Sequence, residues 1–318
     1  MIFEKTITKM YEAEMLRRYD PDGTIFYFSP EDFEGLVFES FDFSGFGDNQ
    51  HAGYFYKKEV THPDRLVIFE HGMGCGHRAY MKEIVTLVDA GYEVFAYDHT
   101  GTLASGGEHI GGFSQSLADL DYAISAIEAS GRLGKRKIAV IGHSWGGFST
   151  MNIGAFHPEV DRLVALAGFV SVEMMLRSVL GFLGCYAPAI HKKEVATLGA
   201  YALADARVSL FQTRAKALII HSTDDPTVPF SHHEALREIL SGKENITLLA
   251  LDGKRHNPNY TREAVVYKDA FFAELTQQLK KKKLVTDAEK AAFVAKFDWH
   301  KMTEQDPEIW GKILEFIK

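Results

Sequence analysis

The sequence predicts an α/β protein, with a mostly parallel central sheet covered by helices on both faces. Two observations predict it. From Arg65 onward, short apolar runs such as Leu66-Val67-Ile68-Phe69, Val94-Phe95-Ala96-Tyr97 and Ala217-Leu218-Ile219-Ile220 alternate with segments of helical period. Those runs are continuous rather than alternating in polarity, as strands buried on both faces require. At 318 residues the chain can house one large domain of this kind. No internal repeat, low-complexity segment or linker divides it, so residues 1–318 are expected to form a single domain.

Composition narrows the function classes. With 46% hydrophobic and 25% charged residues the chain is an ordinary globular sequence. Its formal net charge of -8 gives a nucleic-acid partner no electrostatic support. No apolar run has the length of a membrane-spanning helix. The stretch Met1-Ile2-Phe3-Glu4-Lys5-Thr6 lacks the basic and apolar regions of a signal peptide, so a cytoplasmic location is expected. The two cysteines, Cys75 and Cys185, are read as reduced thiols.

Residues 4–18 carry Ile7, Met10, Tyr11, Met15 and Leu16 among charged residues, a short amphipathic helix that Asp20-Pro21-Asp22-Gly23 breaks. Residues 35–44 and 52–58 read as the two strands of an antiparallel hairpin joined across Gly45-Phe46-Gly47-Asp48-Asn49. Strand 66–69 is followed by a helix over 78–90 that Gly91 ends, then by strand 94–97. Leu117, Leu120, Ile124 and Ile127 mark the next helix, and strands follow at 138–141, 163–166, 217–220 and 246–251. Between Val170 and Ala217 lie roughly forty residues, too many for a simple connection. Met174, Met175, Leu176, Val179, Leu180, Phe182 and Leu183 make that insertion apolar, and a small helical cap over a substrate pocket is expected at about 171–212. The four lysines at 280–283 read as a solvated helix end. Extra helices are expected at about 286–318, from a capping-box spacing at Thr286-Asp287-Ala288-Glu289 and an N-cap with proline at Asp306-Pro307. Ile309, Trp310, Ile313, Leu314 and Ile317 mark a buried face there.

Chemistry centres on Ile138-Ala139-Val140-Ile141-Gly142-His143-Ser144-Trp145-Gly146-Gly147. A buried strand running into Gly-x-Ser-x-Gly and then a helix has the form of a nucleophile elbow, which lifts one serine clear of the sheet. Alone, the pentapeptide reads equally well as a glycine-rich turn. A serine hydroxyl needs a base within hydrogen-bond reach, and a histidine base needs a carboxylate to hold its tautomer. A carboxylate candidate follows strand 217–220, in Asp224-Asp225-Pro226-Thr227-Val228-Pro229. A base candidate follows strand 246–251, in Asp252-Gly253-Lys254-Arg255-His256.

With these motifs the chain resembles the α/β-hydrolase family of serine hydrolases (esterases, lipases and serine aminopeptidases) over roughly residues 35–275. The resemblance implies the α/β-hydrolase fold. It selects Asp225 over its neighbour Asp224 as the triad acid, because the family's Asp-x-x-Val-Pro places the acid three residues before Val228. Asp224 is then a turn former or cap. Gly253-x-x-His256 is similar to the loop of the catalytic histidine. Of the other histidines beyond Asp225, His232 and His233 are expected on a surface helix and His300 in the tail.

Negative charge developing on the attacked carbonyl needs backbone N–H donors. By the resemblance these are the amides of Trp145, after the nucleophile, and of Met73, in the His71-Gly72-Met73 motif. Gly72, Gly74 and Gly76 let the backbone approach substrate, and no Gly-Lys-Ser/Thr ending makes this a phosphate loop. The stretch Asp98-His99-Thr100-Gly101 departs from the family, which often carries arginine where Thr100 stands; Asp98 and Ser105 are expected to organise that loop. Cys75 is expected to line the site sterically. A serine at 144 argues against the aspartate-nucleophile members of the fold.

The expected function is serine hydrolysis through an acyl-enzyme by Ser144, Asp225 and His256, with Met73 and Trp145 as the oxyanion hole. Gly72, Met174 and Met175 are expected to contact substrate, a small acyl compound. A carboxylic ester with an apolar acyl or aromatic part is favoured by the Met- and Leu-rich insertion. Peptidase, thioesterase and acyltransferase chemistry use the same machinery, and a non-catalytic ligand-binding protein is a further alternative. No metal or organic cofactor is implied. The sequence leaves the oligomeric state open, and with it whether the terminal helices pack on this domain.

Overall fold

The structure, a computed structural model, describes residues 4–318. The first three residues of the stretch read above for a leader lie outside it. The chain opens with helix α1 (Glu4–Met15), as its amphipathic pattern predicts, with Ile7 and Met15 buried and Met10 turned to solvent.

Ten strands follow among the described residues: β1 (Val37–Ser40), β2 (Phe43–Ser44), β3 (Gln50–His51), β4 (Gly53–Lys57), β5 (Arg65–Glu70), β6 (Glu93–Tyr97), β7 (Lys137–His143), β8 (Arg162–Leu166), β9 (Lys216–Ser222) and β10 (Ile246–Leu251). Eight form one sheet in the order β1-β4-β6-β5-β7-β8-β9-β10. From β6 to β10 every pairing is parallel, while β1 pairs antiparallel with β4 and β4 antiparallel with β6. The expected amino-terminal hairpin is present. Its link is more than a turn, because β2 and β3 pair with each other inside it.

The strands are apolar throughout because helices cover both faces. Leu66, Ile68, Ile138, Val140, Leu163, Ala165, Ala217 and Ile219 face one layer. That layer contains α1, α3 (Gln115–Ala129), α4 (Trp145–Asn152) and part of the insertion. The alternate residues Val67, Phe69, Ala139, Ile141, Val164, Leu166, Leu218 and Ile220 face the other. There they meet α2 (Met81–Asp89) and the last helix, whose Ile309, Trp310, Ile313 and Ile317 are buried. Both terminal helices therefore pack on this domain.

The insertion between β8 and β9 is helical: α5 (Val172–Leu180), α6 (Ala187–Leu198), α7 (Ala200–Leu203) and α8 (Ala206–Gln212). Its apolar run does not all turn inward. Met175 and Leu176 are buried, but Val179 on another face of α5 is 61% exposed, and Phe182, in the 3-10 turn that follows the helix, is 94% exposed. Helix α9 (Ser231–Leu240) follows β9, and it corrects another expectation: His232 and His233 are buried, not on a surface face. The backbone N–H of Val170 donates to His232 Nδ1 at 3.1 Å, and burial lowers both imidazoles to a pKa of about 4.

After β10 come α10 (Arg262–Lys280), α11 (Asp287–Val294), α12 (Trp299–Met302) and α13 (Pro307–Ile317). Phe271, Leu275, Leu284, Phe293 and Met302 form their own small cluster.

Candidate active site

Strands β5 and β7 are adjacent in the sheet although β6 lies between them in sequence, and β6 packs on the other side of β5. Connections leaving β5 and β7 diverge here, which opens a crevice at their carboxyl ends, the usual place for a ligand in such sheets. Two of the loops singled out in the sequence leave from this point.

The first is the turn after β7. Ser144 sits at φ 57 and ψ -109, a conformation that costs a residue with a side chain on the order of 1–3 kcal/mol. Only glycines permit the turn on either side. A Cβ on Gly142 would lie 2.1 Å from the carbonyl oxygen of Gly146, and one on Gly146 would lie 2.3 Å from that of Glu70. The strained turn presents the Ser144 hydroxyl to His256, with Oγ 2.9 Å from Nε2. On the far side of the ring, His256 Nδ1 donates to Asp225 Oδ2 at 2.8 Å.

Each partner is held by its own loop. Asp225 Oδ1 accepts the backbone N–H groups of Thr227 and Val228, so only Oδ2 is left for the imidazole. Burial pushes the Asp225 carboxyl up, but hydrogen bonds from His221 and His256 outweigh it and hold the group well below the usual carboxylate range. Asp224 is not part of the relay. Its Oδ1 accepts the Ser222 hydroxyl and the Arg255 N–H, tying the acid loop to the histidine loop.

His143 links three loops. The Gly72 N–H donates to the Tyr80 hydroxyl at 3.1 Å, Tyr80 donates to His143 Nδ1 at 2.8 Å, and His143 Nε2 donates to the backbone oxygen of His256 at 2.6 Å. This chain requires a neutral His143, and burial together with the neighbouring His256 lowers its pKa to about 3.

The loop after β5 runs beside the serine. A Cβ on Gly72 would come within 3.5 Å of the Ser144 Cβ. With the Gly72 amide engaged by Tyr80, the Met73 and Trp145 amides are left without a protein acceptor among the described residues. The Cys75 thiol donates to the Gly72 oxygen, and burial pushes its pKa up to about 12, which removes it as a nucleophile. Asp98 accepts the backbone N–H and the ring of His77 and the N–H of Ala104. The Ser105 hydroxyl donates to the Asp98 backbone oxygen, so both residues organise this loop. Thr100 gives its N–H and its hydroxyl to the buried Asp119, which also faces His99 and His51.

Ser144 opens into a cavity of about 510 Å³. Gly72, Met73, Tyr80, His143, Trp145, His256 and Met175 line it. Met174 does not. It faces a separate outer groove with Glu173, Arg177 and His191, because adjacent helical residues point about 100° apart. Most of the apolar wall comes from two other places: Ile25, Phe26, Tyr27 and Phe28 after α1, and Val265, Phe271, Phe272, Trp299 and Met302 at the carboxyl-terminal end. Among the described residues, Glu128, His157 and Glu159 have ligand atoms within 4.8 Å of one another, but none of them lines the cavity.

Residues 61–197 match the serine aminopeptidase, S33 family. In solved structures the chain is similar to an esterase of Pyrococcus furiosus, at 16% identity and a TM-score of 0.59, over 84% of this chain and 98% of that one. It is also similar to the α/β-hydrolase GrgF of a Penicillium species, at 16% identity and 0.53, over 81% and 99%. A third likeness is to a Butyrivibrio proteoclasticus protein with bound ferulic acid, at 18% identity and 0.52, over 75% and 99%.

The chain is an α/β-hydrolase in fold. Within that fold, this chain has a brace on its histidine loop that the sequence did not reveal. The buried Lys254 ammonium donates to the Tyr260 backbone oxygen at 2.6 Å and to Asp306 at 2.5 Å, and Asp306 caps α13. The Thr261 N–H bonds to the Glu304 oxygen, and the Asp306 N–H to the Asn259 oxygen. The tail thus holds the loop that carries His256. A signal for the missed cavity walls existed in the aromatic cluster Ile25-Phe26-Tyr27-Phe28, but no period assigns such a stretch to a core or to a pocket.

Proposed function

We propose that this protein is a serine carboxylesterase acting on a small ester with an apolar or aromatic part. The observation that carries this reading is the Asp225–His256–Ser144 relay opening directly into an apolar cavity. In this mechanism Ser144 Oγ attacks the ester carbonyl carbon while His256 Nε2 takes the hydroxyl proton. The Met73 and Trp145 amides stabilise the oxyanion. The tetrahedral adduct collapses, His256 gives the proton to the departing alcohol, and Ser144 remains acylated. Water, deprotonated by the same imidazole, releases the acid. Asp225 keeps Nδ1–H pointed away from the serine and stabilises the imidazolium throughout.

Helices α5–α8 would serve as a partial roof through Met175, within a single domain that includes the carboxyl-terminal helices. The aminopeptidase reading, favoured by the family match, requires carboxylates to hold a substrate ammonium. Asp269 is the sole acidic residue among those lining the cavity, and it is 2.7 Å from Arg255 at the exposed edge. That argues for esters over aminoacyl substrates.

The test is labelling with a fluorophosphonate probe and turnover of p-nitrophenyl esters, aminoacyl anilides and thioesters. Expected are labelling that is lost in Ser144→Ala and turnover of the esters. Well-folded protein that neither labels nor hydrolyses esters would refute the reading, and turnover of anilides alone would move it to peptidase chemistry.

A further inference from the structure

Three charged groups of the cavity wall have no part in the proposed mechanism: Arg255 and Asp269, which pair with each other, and Lys268, which has no ion-pair partner among the described residues. Lys268 lies on α10, between Val265 and Phe271, and lines the same cavity as Ser144. Its Nζ rests 4.9 Å from the centroid of the Tyr260 ring. Among the described residues no carboxylate approaches that nitrogen within ion-pair distance and no acceptor takes a hydrogen bond from it; its ring contact with Tyr260 and longer-range charges are what surround it. The other cationic or imidazole groups of the wall are engaged: Arg255 with Asp269, His256 with Asp225 and Ser144, and His143 with Tyr80 and the His256 backbone.

Lys268 is half-buried; an ammonium held there without an anion is unfavourable, and an apolar side chain of the same length would line an ester pocket better. Glu83, buried behind the wall, acts on Lys268 from beyond contact distance, and its own carboxyl is raised by burial. Lys268 and the Tyr260 ring beneath its amine both line the cavity. One cation without an anionic partner in a pocket whose wall is mostly aromatic and aliphatic is the arrangement that orients a ligand with an apolar body and a single negative end.

We infer that Lys268 is a specificity-determining residue that pairs with a carboxylate on the non-reacting end of the substrate, so that the preferred esters are monoanions such as half-esters of dicarboxylic acids. This rests on the esterase reading for the word ester, but not for the binding of the anion. Phe271 and Phe272, one turn along α10, would flank the chain between the carboxylate and the reacting carbonyl. The same charge disfavours substrates with a free ammonium, in line with the preference for esters over aminoacyl compounds.

Two measurements test it. In the first, kcat/KM is compared for monomethyl adipate and the neutral methyl hexanoate at low ionic strength. The expected ratio is about tenfold or more in favour of the half-ester, collapsing to one or below in Lys268→Met and largely kept in Lys268→Arg. In the second, Ser144→Ala protein is titrated calorimetrically with both compounds. It should bind the half-ester more tightly, and Lys268→Met in that background should abolish the difference.

Equal affinity for the two compounds in Ser144→Ala protein would overturn the inference, as would an unchanged ratio in Lys268→Met. If neither ester is hydrolysed but the half-ester still binds through Lys268, the catalytic reading fails and this one stands. If neutral esters are hydrolysed by way of Ser144 with no charge preference, the reverse holds.

Discussion

Ser144, His256 and Asp225 lie within hydrogen-bond reach of one another, but each depends on groups that fix its geometry. Ser144→Ala should lower kcat by about 10⁴-fold or more while leaving the unfolding midpoint near that of the parent, and steady-state kinetics with a thermal melt will check both. Asp225→Asn should cost a comparable factor, because an amide cannot hold Nδ1–H toward itself. On the proposed mechanism Tyr80 would act as a positioning residue. Tyr80→Phe removes the acceptor of the Gly72 N–H and the donor to His143, two buried hydrogen bonds worth about 1–3 kcal/mol. The expected outcome is a lower kcat with an unfolding midpoint several degrees down. An unchanged kcat would show that the loop after β5 holds its place without that link.

Among the elements, the carboxyl-terminal helices matter most beyond the sheet itself. Residues 304–306 bond to residues 254–261, and Lys254 joins Asp306 in a largely buried pair, so α13 acts on His256 from a distance. Lys254→Met removes the ammonium from Asp306 Oδ2 while Oδ1 keeps the cap of α13, which should cost about 1–3 kcal/mol in chemical denaturation. It should also reduce kcat, by loosening the imidazole, more than it changes KM. The inserted helices are anchored in a similar way. The buried Glu194 of α6 accepts the N–H groups of Phe113 and Ser114, the Ser114 hydroxyl and the Tyr11 hydroxyl, which ties the insertion to α1 and to the loop before α3. Glu194→Ala should speed proteolysis within residues 172–212, as limited digestion followed by mass spectrometry would reveal.

At the scale of the whole molecule, pH should govern stability through buried histidines. His143, at about 3, and His232 and His233, at about 4, are held below the ordinary value of 6.5. Between those values the unfolded chain binds more protons than the folded one, so stability is lost as pH falls from 6.5 to about 4. Glu70 works the other way. Burial raises its carboxyl from 4.5 to about 7, so its contribution falls as pH rises through that window. Buried His71 is lowered as well and buried Glu83 raised, so four histidines stand against two carboxyls and leave the first effect dominant. The unfolding free energy from urea titrations between pH 4 and 7 should rise with pH by several kcal/mol in total, and a flat or falling profile would contradict the assigned protonation states.

The strand runs, the helical periods and the order of the motifs were all legible in the sequence. Buried parallel strands must be continuously apolar, and a nucleophile elbow must place glycine at 142 and 146, so local chemistry leaves a local trace. Asp225 could be told from Asp224 only by likeness to a family, since both residues form turns and only packing decides which carboxylate meets the ring. His232 and His233 read as surface residues because nothing local records what α9 lies against. The cavity is the clearest case. Sequence patterning assigned its wall to the apolar insertion, including Met174, whereas residues 25–28, Trp299 and Met302 supply much of it from the two ends of the chain. Which residues share a wall depends on how distant segments converge on the crevice beside β5 and β7. No periodicity encodes that convergence, because it is the outcome of packing both termini onto one sheet.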